Sequence, residues 1–136
     1  MKIKLDPGAK KPTRAHTWDA GLDLYSMEDK SIWPMSSETF DTGVHIEIPE
    51  GCVGFIKSKS GLMVNHNITS DGTIDCGYTG SIRVKLFNHG GSRYRVNKGD
   101  KIAQLVVLPI LITPLEEVDD LEATDRGDGG FGSTGR

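Results

Sequence analysis

The chain has 136 residues, the length of one domain, which is enough to bury a core without disulfide or metal staples. Its net charge of −3 at pH 7 excludes a global basic field, so we expect no direct nucleic-acid partner. The two cysteines, Cys52 and Cys76, form no disulfide framework, and we find neither a signal peptide nor a run of transmembrane length, so we expect a reducing, cytoplasmic location without a membrane partner.

The first clear periodicity lies at residues 44–48, where Val44, Ile46 and Ile48 alternate with polar residues. Alternation of this kind predicts a half-buried strand. Residues 60–66 contain the one predicted helix, with Ser60 as its candidate N-cap. Residues 82–86 return to period two and predict another half-buried strand.

The last predicted strand covers residues 102–108, which are apolar except for Gln104. A strand covered on both faces has this pattern, and in so short a chain part of the cover could come from another subunit. Short strands separated by Gly, Pro, Asn and Asp predict an all-β fold, either a sandwich, a barrel or a jelly roll.

The chain ends in R-G-D-G-G-F-G-S-T-G-R, residues 126–136. Five glycines and one aromatic residue cannot build a core, so this segment is expected to be mobile until a ligand orders it. Glycine N–H groups, hydroxyls and a guanidinium suit phosphate. We therefore divide the chain into a folded domain, residues 1–125, and a Gly-rich C-terminal lid, residues 126–136. A flexible terminus without a role is the alternative.

Four further stretches hold residue types suited to phosphate chemistry. They are Ala20–Leu24, Ser58–Gly61, Gly72–Gly80 and Gly99–Leu105. Taken singly, each has an ordinary structural interpretation: Asp23 as a turn acid, Ser60 as a helix cap, Asp75 and Tyr78 as hairpin residues, and Gln104 as a partner of the backbone.

Together with the tail, these stretches resemble the five ordered motifs of the trimeric deoxyuridine triphosphate nucleotidohydrolase (dUTPase) family. The third and fifth, G-T-I-D-C-G-Y-T-G and R-G-D-G-G-F-G-S-T-G, are long and specific. The resemblance implies a jelly-roll fold and a homotrimer whose sites are shared between subunits. It also implies hydrolysis of dUTP to dUMP and pyrophosphate with Mg²⁺, a reaction that limits uracil incorporation into DNA and supplies dUMP for dTMP synthesis.

By this resemblance, the third motif carries the catalytic acid and reads the nucleoside. Asp75 would activate the attacking water and meet the 3′-hydroxyl. Tyr78 would lie against the deoxyribose and leave no space for a 2′-hydroxyl. The backbone of the same hairpin, including Thr73 and Ile74, would read the uracil edge.

The resemblance assigns the phosphate chain to other motifs. Lys59, Ser60 and Gly61 would bind phosphate at the helix start, and Gln104 would add a further contact. Asp23 would touch the Mg²⁺ site through water, because Mg²⁺ keeps several waters and is often held by substrate phosphates with few carboxylates.

The tail would close the site. Arg126, Ser133 and Thr134 would clamp the γ-phosphate, Gly132 would join the substrate contacts, and Phe131 would stack on uracil. Lid closure would exclude water other than the attacking molecule.

Two departures and three rival functions stay open at this point. The family usually has Arg in place of Lys59, so the planar fork of a guanidinium is lost, and Thr69 stands where some relatives have an Asn that helps to read the base. The rivals are a dCTP deaminase or bifunctional deaminase–dUTPase, a nucleotide-binding regulator, and a structural jelly-roll domain. Gly61 and the complete tail favour dUTPase over the deaminases.

Overall fold

The structure, a computed structural model, describes residues 1–130. Within this range the chain forms eleven strands and one short helix. The elements are β1 (Ile3–Leu5), β2 (Gly21–Tyr25), β3 (Lys30–Ile32), β4 (Ser36–Asp41), β5 (Val44–Ile46), β6 (Cys52–Lys57), α1 (Ser60–His66), β7 (Ile68–Thr69), β8 (Asp71–Ile74), β9 (Arg83–Asn88), β10 (Tyr94–Val96) and β11 (Lys101–Pro109).

Antiparallel pairs join these strands into four small sheets. The central sheet has four strands in the order β2-β11-β6-β8, and a three-stranded sheet has the order β4-β9-β7. Two further pairs, β1 with β5 and β3 with β10, complete the fold. The non-sequential order means that distant parts of the chain meet in each sheet, as in a jelly roll. The predicted all-β jelly roll is confirmed.

Alternating burial along the strands builds one core between the sheets. In β9, Val84 and Leu86 are fully buried while Arg83 and Lys85 are exposed, which is the predicted period-two pattern. The predicted strand at residues 44–48 is shorter than expected, ending at Ile46, although Ile48 is also buried. The core includes Leu24, Ile32, Phe40, Val44, Ile46, Ile48, Ile56, Ile68, Ile82, Val84, Leu86, Val96, Ile102, Ala103 and Leu105.

Strand β11 is the apolar strand that the sequence predicts, and it lies between β2 and β6. Ile102, Ala103 and Leu105 are buried, so both faces are covered in the first half of the strand. Leu108 is 45% exposed. The second half of the strand therefore keeps apolar surface that the single chain does not cover.

The helix spans the predicted residues, but its predicted cap is wrong. Lys59, with an extended backbone, is the N-cap residue, and no side chain caps the helix. Ser60 is instead the first helical residue, since the first backbone bond runs from the Met63 N–H to the Lys59 carbonyl. The helix ends at His66, and its C-cap residue Asn67 has a left-handed φ of 55°, a conformation that Asn adopts more readily than most residues.

The packed body ends near Ile110, whose N–H donates to the Gly51 carbonyl at 2.9 Å. Beyond it, residues 111–128 are exposed and form no strand or helix, and two short turns lie at residues 124–129. Its apolar side chains reach solvent at Leu111, Ile112, Leu115, Val118 and Leu121. The proposed boundary at residue 125 stays a prediction. The one helix within residues 1–130 has seven residues, too few to span a bilayer.

Candidate active site

One cross-strand row of the central sheet brings three of the motifs together. Gln104 of β11 lies opposite Asp23 of β2 on one side and Lys57 of β6 on the other. The chain leaves β6 at Lys57 and starts α1 at Ser60. This connection places Lys59 beside the row, so the first, second and fourth motifs meet at one end of the sheet.

Two lysines hold the carboxylate of Asp23. Lys59 Nζ lies 2.5 Å from Asp23 Oδ1, and Lys101 Nζ lies 2.7 Å from Asp23 Oδ2. The Asp23 side chain is 9% exposed, whereas those of Lys59 and Lys101 are 26% and 44% exposed. The buried acid therefore anchors two ammonium groups that remain open to solvent. We call these three residues the lysine cluster.

The pKa of Asp23 reports the strength of this pairing. Burial raises the pKa of the Asp23 carboxyl, but hydrogen bonds and charge from Lys101 and Lys59 outweigh burial and leave the pKa below its ordinary value. The same bond raises the pKa of Lys101. Asp23 is thus ionised near neutral pH, and with two lysines paired to one carboxylate this end of the sheet has a formal excess of one positive charge.

The Gln104 side chain packs over Gly21, which leaves space for it. A Cβ atom at Gly21 would collide with Oε1 of Gln104. The Gln104 side chain donates from Nε2 to the Ser58 carbonyl at 3.1 Å. The glycine of the first motif is therefore explained by close packing against the glutamine of the fourth.

The start of α1 is fixed by a reciprocal pair of bonds. Ser58 Oγ donates to the Ser70 carbonyl at 2.9 Å and accepts from the Ser70 N–H at 2.8 Å. Ser60 and Gly61, which follow, are exposed. The predicted phosphate-binding residues thus lie on a clamped connection and face solvent.

The third motif forms a turn at the far end of β8. The Tyr78 N–H donates to the Asp75 carbonyl at 3.1 Å, which closes a β-turn. Gly77, with φ of 90°, occupies the third position, where a positive φ favours glycine. Asp75 and Tyr78 are both exposed, and the Tyr78 hydroxyl donates to the Ser81 carbonyl at 3.0 Å. Thr73 and Ile74 precede the turn in β8.

The single chain does not bring this turn to the lysine cluster. Asp71 lies on the same row as Lys57, and Asp75 follows four residues later, about 13 Å along the strand direction. The row itself places Asp71 three strands from Asp23, about 14 Å across the sheet. The predicted base and the predicted phosphate contacts therefore occupy opposite corners of one sheet.

The tail residues fall partly outside the described range. Arg126 is exposed and donates from Nε to the Gly129 carbonyl at 3.0 Å, a local bond within the tail. The predicted contacts Phe131, Gly132, Ser133 and Thr134 lie outside the described residues.

A metal site made by protein alone does not form within residues 1–130. No group of three or more His, Cys, Asp or Glu side chains is placed to hold an ion there. Both carboxylate oxygens of Asp23, the predicted metal contact, are paired with lysines. This donor set fits only an ion that arrives on phosphates with its own waters.

Sequence reasoning missed Lys101 as a member of the site. Lys101 belongs to the fourth motif, three residues before Gln104, and this position was the available signal. The bulge between Lys101 and Ala103 shifts the register, so simple alternation along the strand does not predict the direction of the Lys101 side chain. Thr69, which stands where some relatives have an Asn that helps to read the base, shares a hydrogen bond of 2.8 Å with His89 Nε2.

Comparison with known proteins places the chain in a family. A family model described as dUTPase matches residues 8–135. The chain is 46% identical over 139 residues to the deoxyuridine 5′-triphosphate nucleotidohydrolase of Clostridium acetobutylicum, covering 99% of this chain and 96% of the relative. It is 44% identical to the mouse (Mus musculus) protein of that name, covering 98% and 83%.

Solved structures agree with the sequence match. The dUTPase of Staphylococcus bacteriophage 80alpha with dUpNHpp has a TM-score of 0.93 at 32% identity, covering 99% of this chain and 98% of that one. A variant of the dUTPase from phage phi11 of S. aureus, which reveals the coordination of a structural Mg(II) ion, has a TM-score of 0.83 at 29% identity, covering 90% and 98%. With the family model matching nearly its full length, the chain belongs to the dUTPase family.

Proposed function

We propose that this chain hydrolyses dUTP to dUMP and pyrophosphate by attack of water on the α-phosphorus. The observation that carries the proposal is the family match along residues 8–135. Relatives that cover almost the whole chain are nucleotidohydrolases of deoxyuridine 5′-triphosphate. The protein is accordingly a dUTP diphosphatase.

The lysine cluster is the proposed phosphate site. Lys59 and Lys101 present ammonium groups whose shared counter-ion is buried, so an arriving triphosphate meets two oriented donors. Gln104 and the N–H groups near Ser60 add neutral donors. Charge-assisted bonds of this kind are about twice as strong as neutral ones. The second lysine offsets part of the loss of the guanidinium fork at position 59.

Asp75 is the proposed base. Its carboxylate takes a proton from water as the water oxygen bonds to the α-phosphorus. The bond from this phosphorus to the α–β bridging oxygen breaks, and pyrophosphate leaves. Tyr78, beside the same turn, is the proposed selector against a ribose 2′-hydroxyl. General-base help of this kind contributes about 10²–10⁴ in rate.

A site that needs both corners of the sheet requires more than one copy of the chain. We propose a homotrimer in which Asp75 and Tyr78 of one subunit face the lysine cluster of another. Exposed Leu108 on β11 and the apolar side chains of residues 111–121 support contact between copies, because extended apolar surface of this kind marks interfaces. Light scattering should give about three times the chain mass of 14.8 kDa.

Magnesium would reach the site on the triphosphate, with Asp23 in contact with one of its waters. When bound, the ion neutralises charge on the phosphate oxygens. The tail would then close the site, with Arg126, Ser133 and Thr134 on the γ-phosphate, Gly132 beside them and Phe131 on the base. These assignments rest on the match of the fifth motif.

Pyrophosphate release from dUTP, dCTP, dTTP and UTP, each with Mg²⁺ and with a chelator, tests the function directly. We expect release from dUTP with Mg²⁺ and little from the other nucleotides. Hydrolysis in ¹⁸O water should label dUMP, whereas label in pyrophosphate would contradict attack at the α-phosphorus. Ammonia release from dCTP would instead support a deaminase.

A further inference from the structure

We call the turn at residues 75–80, which carries the proposed base Asp75, the catalytic turn. The proposed mechanism does not use His45, yet this side chain joins the catalytic turn to the folded domain. It lies on β5, where its Nδ1 is 2.7 Å from the Thr79 carbonyl and its Nε2 is 3.2 Å from Asp6 Oδ1. Thr79 follows Tyr78 directly. One imidazole therefore spans the gap between the turn that follows β1 and the turn that carries Asp75.

The two partners of His45 decide its protonation state. A carbonyl and a carboxylate can only accept, so each ring nitrogen must donate for both bonds to form. A neutral imidazole has one N–H and would point a lone pair at one of the acceptors. Both bonds can therefore form together only in the imidazolium form.

The charges around His45 agree with this requirement. The bonds to the Thr79 carbonyl and the Asp6 carboxylate raise the pKa of His45, while partial burial and the charge of Lys4 act in the opposite direction. Lys4 lies directly opposite His45 on β1. Glu47, two residues further along the chain, is already paired with Lys2 at 3.1 Å. Asp6 is thus the carboxylate that faces the ring.

The catalytic turn has few other links. Within residues 1–130, the bond from His45 is the one side-chain hydrogen bond that ties residues 76–80 to another element, since the Tyr78 hydroxyl bonds locally to Ser81. One side of the turn, at Cys76, Gly77 and Thr79, lines a cavity of about 600 Å³ instead of packing on the core.

We propose that His45 is a positioning residue that holds the Asp75–Tyr78 turn in its reactive geometry through an imidazolium bridge to Asp6. The inference rests on the proposed function, because the turn matters only if Asp75 and Tyr78 act on a nucleotide. His45 itself touches no reacting atom. It acts by fixing the backbone at Thr79, one residue from the side chain that selects the sugar.

The bridge gives the site a pH dependence of defined sign. A histidine whose folded pKa is raised above about 6.5 contributes fully below that value, and its contribution is lost as the pH rises through the folded pKa. Selection of dUTP over UTP should therefore weaken as the pH rises through this range. The ratio of the two substrates cancels the titration of groups that serve both reactions equally.

Three variants separate the bridge from general effects. His45→Gln removes the doubly donating ring. Asp6→Asn can donate its amide to a neutral Nε2, so it keeps the link while removing the need for charge. His16→Gln is the matched control, because His16 makes no side-chain hydrogen bond in the described part of the chain. Each is measured as the intact protein for kcat/KM on dUTP and UTP across the pH range, together with its melting temperature and mass.

We expect His45→Gln to lose about tenfold in kcat/KM, as small misplacements of reacting groups do, and to select dUTP less sharply at every pH. Asp6→Asn should keep activity and flatten the pH dependence of the selectivity. Equal behaviour of His45→Gln and His16→Gln would overturn the proposal.

Imidazole ¹⁵N spectra test the bridge without turnover. We expect both nitrogens of His45 to be protonated below its pKa and that pKa to fall in Asp6→Asn. A single protonated nitrogen in the wild type at pH 6.5 would overturn the bridge. If the wild type fails to hydrolyse dUTP, the proposed function fails, while these spectra still decide whether the bridge exists.

Discussion

The lysine cluster and the Asp75 turn differ in how much of their geometry one chain provides. At the lysine cluster, a buried carboxylate holds two cations, and Gln104 is bonded to the Ser58 carbonyl. At the turn, Asp75 is exposed and forms no salt bridge with any of residues 1–130. The groups proposed to bind phosphate are thus positioned before substrate binds, whereas the carboxylate proposed to take a proton has no counter-ion among residues 1–130.

This difference has a chemical reason. An ammonium group without a partner would be free to rotate, and ordering it at the moment of binding would cost entropy. A base, in contrast, is weakened by a paired cation, because a nearby positive charge lowers its proton affinity. The two corners therefore follow opposite electrostatic rules, and each rule can be tested by changing one charge.

The largest expected effect comes from Asp75, the proposed base. Asp75→Asn should lower kcat by about 10²–10⁴, because an amide cannot accept the proton from water, while nucleotide binding persists. Pyrophosphate release and equilibrium binding of dUTP measure the two quantities. Asp71→Asn is the matched control, since Asp71 begins β8, the strand that leads into the turn, and is already paired with Lys57 at 2.7 Å. Turnover near the wild-type level in Asp75→Asn would remove Asp75 from the role of base.

The lysines should show the next largest effect. Lys59→Gln should reduce kcat/KM for dUTP about 10- to 100-fold, the range expected for one charge-assisted bond. Lys101→Gln should act in the same direction but less, because its side chain is more exposed, at 44% against 26%. Steady-state kinetics at fixed ionic strength measure both.

Lys57→Gln provides the control for net charge, since Lys57 lies on the same row but pairs with Asp71. It should change kcat/KM little. An equal loss in all three variants would mean that the triphosphate responds to overall charge and not to the arrangement around Asp23.

The sequence predicts the turn at Asp75 better than it predicts the lysine cluster. Period-two burial in β9 and the apolar run of β11 follow from patterns a few residues long, so their strands are predictable. The turn at Asp75 is also local, because Gly77 marks it. The motif resemblance proposes roles for Asp75 and Lys59, but it gives no partner for either of them.

The contacts that the sequence does not predict depend on the pairing register of distant segments. Lys101 meets Asp23 only because β11 pairs with β2 and carries a bulge at this point. His45 meets Asp6 and Thr79 because three separate segments converge. The prediction of Ser60 as the helix cap was wrong for a related reason. Lys59 occupies the N-cap position, and its side chain pairs with Asp23. Pairings between distant segments have no signature within any one of them.

Tyr78 should give a smaller effect that is confined to the choice of sugar. Tyr78→Ala should narrow the ratio of dUTP to UTP hydrolysis by about tenfold, the scale on which a pocket excludes a small group by contact. Tyr78→Phe keeps the ring and loses only the bond to the Ser81 carbonyl, so its ratio should stay close to that of the wild type. If Tyr78→Ala leaves the ratio unchanged, sugar discrimination belongs to another residue.

The smallest expected effect concerns folding, and it tests whether Asp23 organises the lysines in the absence of substrate. Asp23→Asn should reduce the free energy of unfolding at pH 7 by about 1–2 kcal/mol, a range discounted because both lysines are partly exposed. The pKa of Asp23 is lowered in the folded state, so its contribution is present above the ordinary pKa of about 3.9 and is lost as the pH falls through the folded value. The difference in free energy of unfolding between wild type and variant should therefore disappear in acid.

Urea unfolding, repeated from pH 7 downward, measures this difference. The protein concentration is held fixed because oligomer stability depends on concentration. Asp71→Asn removes an exposed pair and should change stability little at any pH. A gap for Asp23→Asn that persists unchanged well below the ordinary Asp pKa would show that shape or hydrogen bonding, and not its charge, makes Asp23 matter to the fold.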